Sequence, residues 1–423
     1  MTHPRRRLVI VVRADPVICG HSGEARNLAE VALTRGYDDV RLLTWPIAAL
    51  QAAGLPLKPL DRLLPYSPGI TVERPEPVGD YRVPDGRHLA GLTGRLVELL
   101  AEPVPTTCLS MYIVPHANVV LDAVNAARAA GFNPNVRTIV KAVGSDVTNV
   151  IRNCLRDGHF GAATALFTTF LANDEVVAVS DYTRDEIIDA AGQVDAHVGT
   201  TFAEQCRRRV SVSYPPIDST AFLDPDPSLV DAALAHRGLE RDGYLLFLSR
   251  VTPAKGIFDL LAAYRQARSR EKVKLVIAGT GTALAQVQAI AAADEHVVVL
   301  TDVDDNEKPL LMRGSAAYVL PTKPEPDFVE TFGIALAEKM LAGGGPIITT
   351  DTGGTLEAVG DAAIIVDQGD VTGIAAAIDR VVLDMNGTER RELELRARDW
   401  AMQFDRAAVF DDLFPETALR QSA

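Results

Sequence analysis

Tyr244-Leu-Leu-Phe-Leu-Ser-Arg250-Val-Thr-Pro-Ala-Lys255-Gly256 is the stretch that settles what kind of chain this is. It opens with five apolar residues, meets Arg250, turns at Pro253 and reaches Lys255-Gly256 just before an apolar-periodic segment. A strand without polar alternation is covered on both faces, as in a parallel sheet sandwiched between helices. The pattern recurs at residues 273–278, 296–300, 317–320, 346–349 and 362–366, each followed by a helix-length segment. A doubly wound α/β domain is therefore expected in the second half of the chain.

The first half repeats this grammar less cleanly. An apolar run at 8–12, an amphipathic stretch at 23–35 and a second run at 40–44 make a βαβ opening. Between 52 and 87 the periodicity fades and prolines recur, which reads as a long irregular surface excursion rather than a strand. Helical patterning returns at 88–100. Further strands are expected at 107–112, 136–143 and 175–180, separated by apolar-periodic stretches such as 117–130 and 160–170. A strand at 210–213 leads through Tyr214, Pro215 and Pro216 to the Asp- and Pro-rich residues 224–227, where the linker is placed. The expected architecture is thus two Rossmann-like domains, 1–218 and 219–400, facing across a cleft with the site between them. A helical segment within 401–423 is expected either to pack on the second domain or to cross back to the first.

Composition limits the function. The chain has 423 residues, 47% hydrophobic and 23% charged, as expected of a globular protein of two or three domains. Asp and Glu outnumber Lys and Arg 56 to 42, which argues against a surface built to neutralise a nucleic-acid backbone. The apolar run at 8–12 is cut off by Arg13 and Asp15, too short for a signal-peptide core or a membrane span, so a cytoplasmic location is expected. Cys19, Cys108, Cys154 and Cys206 lie far apart with no CxxC pair, which points to neither a disulfide framework nor a structural zinc. Arg far outnumbers Lys and Ala is abundant, a hint of a GC-rich bacterial genome.

Charged residues at strand ends are the next clue. Arg250 and Lys255, at the carboxyl end of a strand and the start of a helix, suit a diphosphate held by charge-assisted hydrogen bonds. The same two residues would also be ordinary as solvated charges in a βα loop. Gly279-Thr-Gly281 ends another strand but lacks the third glycine and spacing of a dinucleotide fingerprint, and no GxxxxGK[ST] occurs. Downstream, Glu330-Thr331-Phe332-Gly333-Ile334 is expected to open a helix that carries Glu338 a little over two turns on, with helix-start amides able to bind phosphate and sugar oxygens. Carboxylates there could bind vicinal hydroxyls, or be a helix-terminal charge and a solvated residue.

Taken in order, these segments resemble the retaining nucleotide-sugar glycosyltransferases of the GT-B fold, family four. The matching pattern is Ser249-Arg250 with Lys255-Gly256, Gly279 and Gly281, Pro321-Thr322, Glu330 with Glu338, and Gly344-Gly345-Pro346, spanning residues 244–367. The resemblance implies that Arg250 and Lys255 hold the donor diphosphate and stabilise it as it leaves. It further implies that Glu330 binds the donor sugar and acts with them in catalysis, that Glu338 binds the ribose, and that the loop with Thr301 and Val303 flanks the base.

In the first domain, Cys19-Gly20-His21-Ser-Gly23-Glu24-Ala-Arg-Asn27 resembles the family's glycine-containing first loop, implying that Gly20 and Gly23 let a backbone amide approach the donor phosphate. His21, Glu24, Asn27, Tyr112, His116, Asp146 and Asn149 are then the candidate acceptor contacts. Each could also be an N-cap or turn residue. Two departures stand out. Where many relatives carry a histidine before Gly-Ser-Asp, this chain has Val143 before Gly144-Ser145-Asp146, with His116 or His21 as substitutes. A Pro- and acid-rich insertion also separates Pro321 from Glu330.

The implied reaction keeps the anomeric configuration through a front-face displacement, without a protein nucleophile, a metal or any cofactor beyond the nucleotide-sugar co-substrate. The expected partners are a nucleotide-diphosphate sugar and a small soluble acceptor, with no nucleic acid and no stable membrane insertion; a homodimer is left open. Relatives in GC-rich bacteria glycosylate cyclitols, aminocyclitols and some thiol or thione sulfurs, which implies specialised, antibiotic-type metabolism. The rival readings are S-glycosyl transfer, a phosphorylase or non-glycosidic transferase on the same fold, and a non-catalytic bilobed sugar-nucleotide binding protein.

Overall fold

The computed structural model describes residues 5–76, 86–326 and 328–415. The chain forms two compact units, one of residues 1–217 with 406–423 and one of residues 218–405. Each is built on its own parallel sheet.

The first unit has seven strands, β1 (Arg7–Val11), β2 (Asp39–Leu43), β3 (Ile70–Glu73), β4 (Thr106–Met111), β5 (Val136–Ala142), β6 (Glu175–Ala178) and β7 (Val210–Val212). Their order across the sheet is β3-β2-β1-β4-β5-β6-β7, with every pairing parallel. β1 is buried along its whole length, as its unbroken apolar run after Arg7 requires. One sequence expectation is corrected here. Residues 52–87 are not irregular throughout, because β3 pairs with β2, Ile70 opposite Val40 and Glu73 opposite Leu43. An edge strand needs only one partner and need not be fully apolar, so four residues reading Ile-Thr-Val-Glu carried no strong signal. The part of that excursion at 77–85 lies outside the described residues.

Helix Arg406–Leu413 belongs to this first unit, although helix Gly387–Ala401 belongs to the second. Phe410 and Phe414 are buried and meet Tyr37 edge-on, each at 6.3 Å between ring centroids. Arg35 forks onto the Asp411 carboxylate at 2.7 and 2.8 Å. The remainder of the expected C-terminal segment, 416–423, lies outside the described residues.

The second unit has six strands, β8 (Tyr244–Leu248), β9 (Lys274–Ala278), β10 (Val297–Leu300), β11 (Ala317–Leu320), β12 (Ile347–Thr350) and β13 (Ile364–Val366), in the order β10-β9-β8-β11-β12-β13, all parallel. The Asp- and Pro-rich residues 224–227 are not a linker. Asp226 caps helix Pro227–His236, its carboxylate accepting the Ser228 N–H at 2.8 Å with proline in the first turn. The division instead falls between Ile217 and Asp218.

In both sheets the winding direction reverses beside the strand that comes first in sequence, between β1 and β4 in one unit and between β8 and β11 in the other. Loops leaving two such neighbouring strands diverge to opposite faces and leave a crevice at their carboxyl ends.

Candidate active site

The crevice of the second unit collects the loop after β8, with Arg250 and Lys255, and the loop after β11, with Glu330. Gly256 makes their approach possible. It sits at φ +69° at the start of helix Ile257–Gln266, and a Cβ there would collide with the Pro321 carbonyl oxygen. The Lys255 ammonium, on a residue only 7% exposed, is hydrogen-bonded to the Glu330 carboxylate. Arg250 is exposed beside it. A cation and a carboxylate drawn from two loops thus meet at one point, with a second cation at hand. Such a cluster can bind an anion through the cations and hydroxyls through the carboxylate.

The helix carrying Glu338 begins later than the sequence suggested. It spans Ile334–Ala342, with Gly333 as N-cap at φ +102° and no side-chain cap, so Thr331 and Phe332 lie before it rather than in its first turn. The delay follows from Phe332, whose ring is buried edge-on against Phe404 at 4.9 Å and anchors the chain in the core. Gly333 alone tolerates the left-handed turn that then redirects the backbone into the helix. Glu338 lies on this helix with its carboxylate bonded to Lys308 at 2.6 Å. Gly279 closes β9, its N–H donating to the Leu300 carbonyl at 2.9 Å. The loop of Thr301 and Val303 is braced by Arg237, which reaches Asp302 at 3.0 Å and Glu307 at 2.6 Å.

In the first unit the crevice lies at the ends of β1, β4 and β5. Helix Gly20–Thr34 starts there with Gly20 and Gly23 exposed and no side-chain cap on its N-terminus. His21 Nε2 lies 3.1 Å from the Arg13 guanidinium, and its ring 6.1 Å from Tyr112. Tyr112 holds φ +137°, a conformation that costs a non-glycine residue free energy and collects at functional sites. Its hydroxyl is 2.7 Å from Ser145 Oγ. His116 is 1% exposed, set edge-on to Trp45 at 5.1 Å and to Tyr112 at 5.8 Å, and neither ring nitrogen has a hydrogen-bond partner among the described residues. Burial, with Arg13 and His21 nearby, pulls its pKa well below the ordinary value.

The other candidate acceptor contacts are engaged within the unit. Glu24, 4% exposed, pairs with the fully buried Lys141 at 2.9 Å. Lys141 also donates to the Tyr214 carbonyl at 3.2 Å, so the pair ties helix, sheet and exit segment together. The Asn27 amide donates to the Pro216 carbonyl at 2.9 Å. Asp146, 2% exposed, accepts the Ile113 and Gly144 N–H groups at 3.1 and 3.0 Å, and burial raises its pKa to about 6. Asn149 accepts from the Asn153 amide at 2.6 Å. Arg13, which meets His21, and Lys308, which meets Glu338, are neighbours of the candidate residues that the sequence analysis does not single out. The signal for Arg13 in the sequence is a cation just after a buried strand, where it also marks the end of the apolar run.

Fold and crevices together define the class, two parallel-sheet α/β domains of the GT-B fold. The crystal structure of Anabaena HepE in complex with UDP and glucose superposes with a TM-score of 0.68 at 17% identity, covering 98% of this chain and 100% of that one. The Thermosynechococcus elongatus sucrose-phosphate synthase gives the same score at 18% identity, covering 99% of each chain. Residues 235–400 match the family of glycosyl transferases group 1.

Among curated relatives, the glycogen synthase of Mycobacterium tuberculosis is 34% identical over 169 residues, 37% of this chain and 39% of that protein. The Mycolicibacterium smegmatis GDP-mannose-dependent alpha-(1-6)-phosphatidylinositol monomannoside mannosyltransferase is 28% identical over 249 residues, 57% of this chain and 61% of that protein. The chain therefore matches these relatives over about two fifths to three fifths of their length. Among the described residues no helix is long and apolar enough to cross a membrane.

Proposed function

We propose that the protein is a retaining glycosyltransferase that moves a sugar from a nucleotide-diphosphate donor to a small soluble acceptor. The observation that carries this reading is the meeting of Arg250, Lys255 and Glu330 where the second sheet reverses its winding. A diphosphate bound there would draw Lys255 toward itself, leaving Glu330 to accept hydrogen bonds from the donor sugar. Support for the donor class also comes from the group 1 domain over 235–400 and from relatives with transferase names.

In this reading the bond from the anomeric carbon to the diphosphate breaks and an oxocarbenium-like sugar develops. Arg250, Lys255 and the uncapped start of helix Ile334–Ala342 stabilise the charge gathering on the leaving oxygen. The acceptor attacks from the same face, and its proton passes to the departing diphosphate oxygen. The acceptor-contact candidates left accessible in the first unit are His21 and Tyr112. The excess of acidic residues fits a neutral or cationic soluble acceptor better than an anionic membrane surface.

The test is a screen of UDP-, GDP- and dTDP-sugars, scoring release of nucleoside diphosphate with and without small polyol and aminocyclitol acceptors. Release from one donor, increased by an acceptor and yielding an α-linked product from an α-linked donor, is the expected result. An inverted product, or phosphate-dependent release of a sugar phosphate, would overturn it.

A further inference from the structure

The Pro- and acid-rich loop between Pro321 and Glu330 has no part in the reading above, yet it is fastened firmly to the cation-bearing loop. Thr322 Oγ1 and the Lys323 N–H both donate to the Ala254 carbonyl at 2.9 Å, and Lys323 Nζ pairs with Asp259 at 2.7 Å. Glu325 and Phe328 then exchange backbone hydrogen bonds at 2.8 and 3.0 Å, closing the loop into a small bridge. The fastening brings the half-buried ring of Phe328 to both cations. Its centroid lies 5.1 Å from the Arg250 guanidinium carbon and 5.0 Å from Lys255 Nζ.

We infer that Phe328 is the positioning residue of the donor site, holding Arg250 and Lys255 together in the arrangement that receives the diphosphate. The inference rests on the donor reading above. Two cations side by side repel each other, and something must offset that repulsion if both are to point at one spot. A carboxylate would do so, as Glu330 does for Lys255, but it would also repel the incoming phosphate. An aromatic face attracts both cations through its quadrupole and carries no net charge to oppose the ligand. The effect matters most for Arg250. Among the described residues no carboxylate pairs with it, and its long exposed side chain would otherwise lose more rotamer freedom on binding.

Calorimetric titration of the full chain with UDP, GDP and dTDP, and with the matching monophosphates, tests this. The wild type should bind one diphosphate more tightly than its monophosphate. Phe328→Leu should weaken that diphosphate about three- to tenfold and leave the monophosphate unchanged, while Phe328→Trp should retain wild-type affinity. In an Arg250→Ala, Lys255→Ala background, Phe328→Leu should have no further effect. Three results overturn the inference: an unchanged diphosphate affinity in Phe328→Leu, equal loss in the leucine and tryptophan variants, or an equal weakening of monophosphate. A wild type that shows no preference for any diphosphate over its monophosphate overturns the donor reading itself, and the inference with it.

Discussion

The two sheets reverse their winding in the same manner, yet the crevices they create treat charge in opposite ways. Between β8 and β11, Arg250, Lys255 and Glu330 gather with Arg250 exposed and Lys255 and Glu330 paired across two loops. Between β1 and β4, charged residues in similar positions are drawn inward, Glu24 and Lys141 into a pair from which water is excluded and Asp146 onto backbone amides. What that crevice leaves at its surface is a strained tyrosine, the His21 imidazole and Arg13, with His116 buried against Tyr112. A shared topology thus fixes where a ligand can bind. Whether a given charge serves that ligand or the fold is settled by what packs around it.

Four experiments can break or sharpen this contrast. The largest effect is expected from Lys141→Met, which strands the Glu24 carboxylate in a buried position and should lower stability by about 3–5 kcal/mol, read from the urea unfolding of the first unit. Lys255→Met should cost less, because Glu330 keeps 13% of its side chain exposed where Glu24 keeps 4%, and equal destabilisation by the two would erase the distinction.

Next in size, Lys255→Ala or Arg250→Ala should reduce turnover on the order of a hundredfold or more with the circular-dichroism spectrum intact, because in the proposed mechanism charge on the leaving group would lose its stabiliser. Turnover near that of the wild type would remove the second unit's claim to the chemistry.

The pH dependence of stability should carry opposite signs in the two units. Asp146 has its pKa raised by burial to about 6, so the folded first unit binds more protons than the unfolded chain between about pH 4 and 6 and loses stability as pH rises through that window. Lys339 in the second unit, 1% exposed and bonded to the Met312 and Gly343 carbonyls at 2.6 and 2.7 Å, has its pKa lowered by burial to about 7. The unfolded chain therefore binds the extra proton between about pH 7 and the ordinary lysine value, and this unit gains stability as pH rises there. Denaturation series comparing the wild type with Asp146→Asn and Lys339→Met should isolate each contribution. A difference from either variant that does not change with pH would discard that assignment.

The smallest effect is expected from Glu338→Gln: in the proposed reading, where this carboxylate binds the donor ribose, the donor KM should rise about tenfold with kcat preserved, since such contacts act equally on ground and transition states. A fall in kcat instead would place Glu338 at the reacting centre.

The residues that could be read from the chain were those whose signal is local. Arg250 and Lys255 stand out because a buried strand runs directly into them, and Glu330 and Glu338 because one lies just before and the other within a single helix-forming segment. Glu24 was misjudged as open to an acceptor because its partner lies 117 residues away, and nothing near either residue announces the other. Phe328 gave no signal at all. An aromatic residue in a proline-rich loop looks incidental until Thr322 and Lys323 are seen to fasten that loop to Ala254. β3 escaped because a short edge strand obtains its pairing from a neighbour rather than from its own pattern.

By itself, then, the sequence determined two parallel-sheet α/β domains, the family resemblance and the loops where chemistry could occur. Continuous apolar runs, turn residues and helix periodicity act over a few residues, so they survive in one dimension. Tertiary structure alone decided which charges stay available and which are spent on the fold. That choice depends on bringing β8 beside β11 and β1 beside β4, and on the desolvation and long-range pairing that follow when distant segments meet.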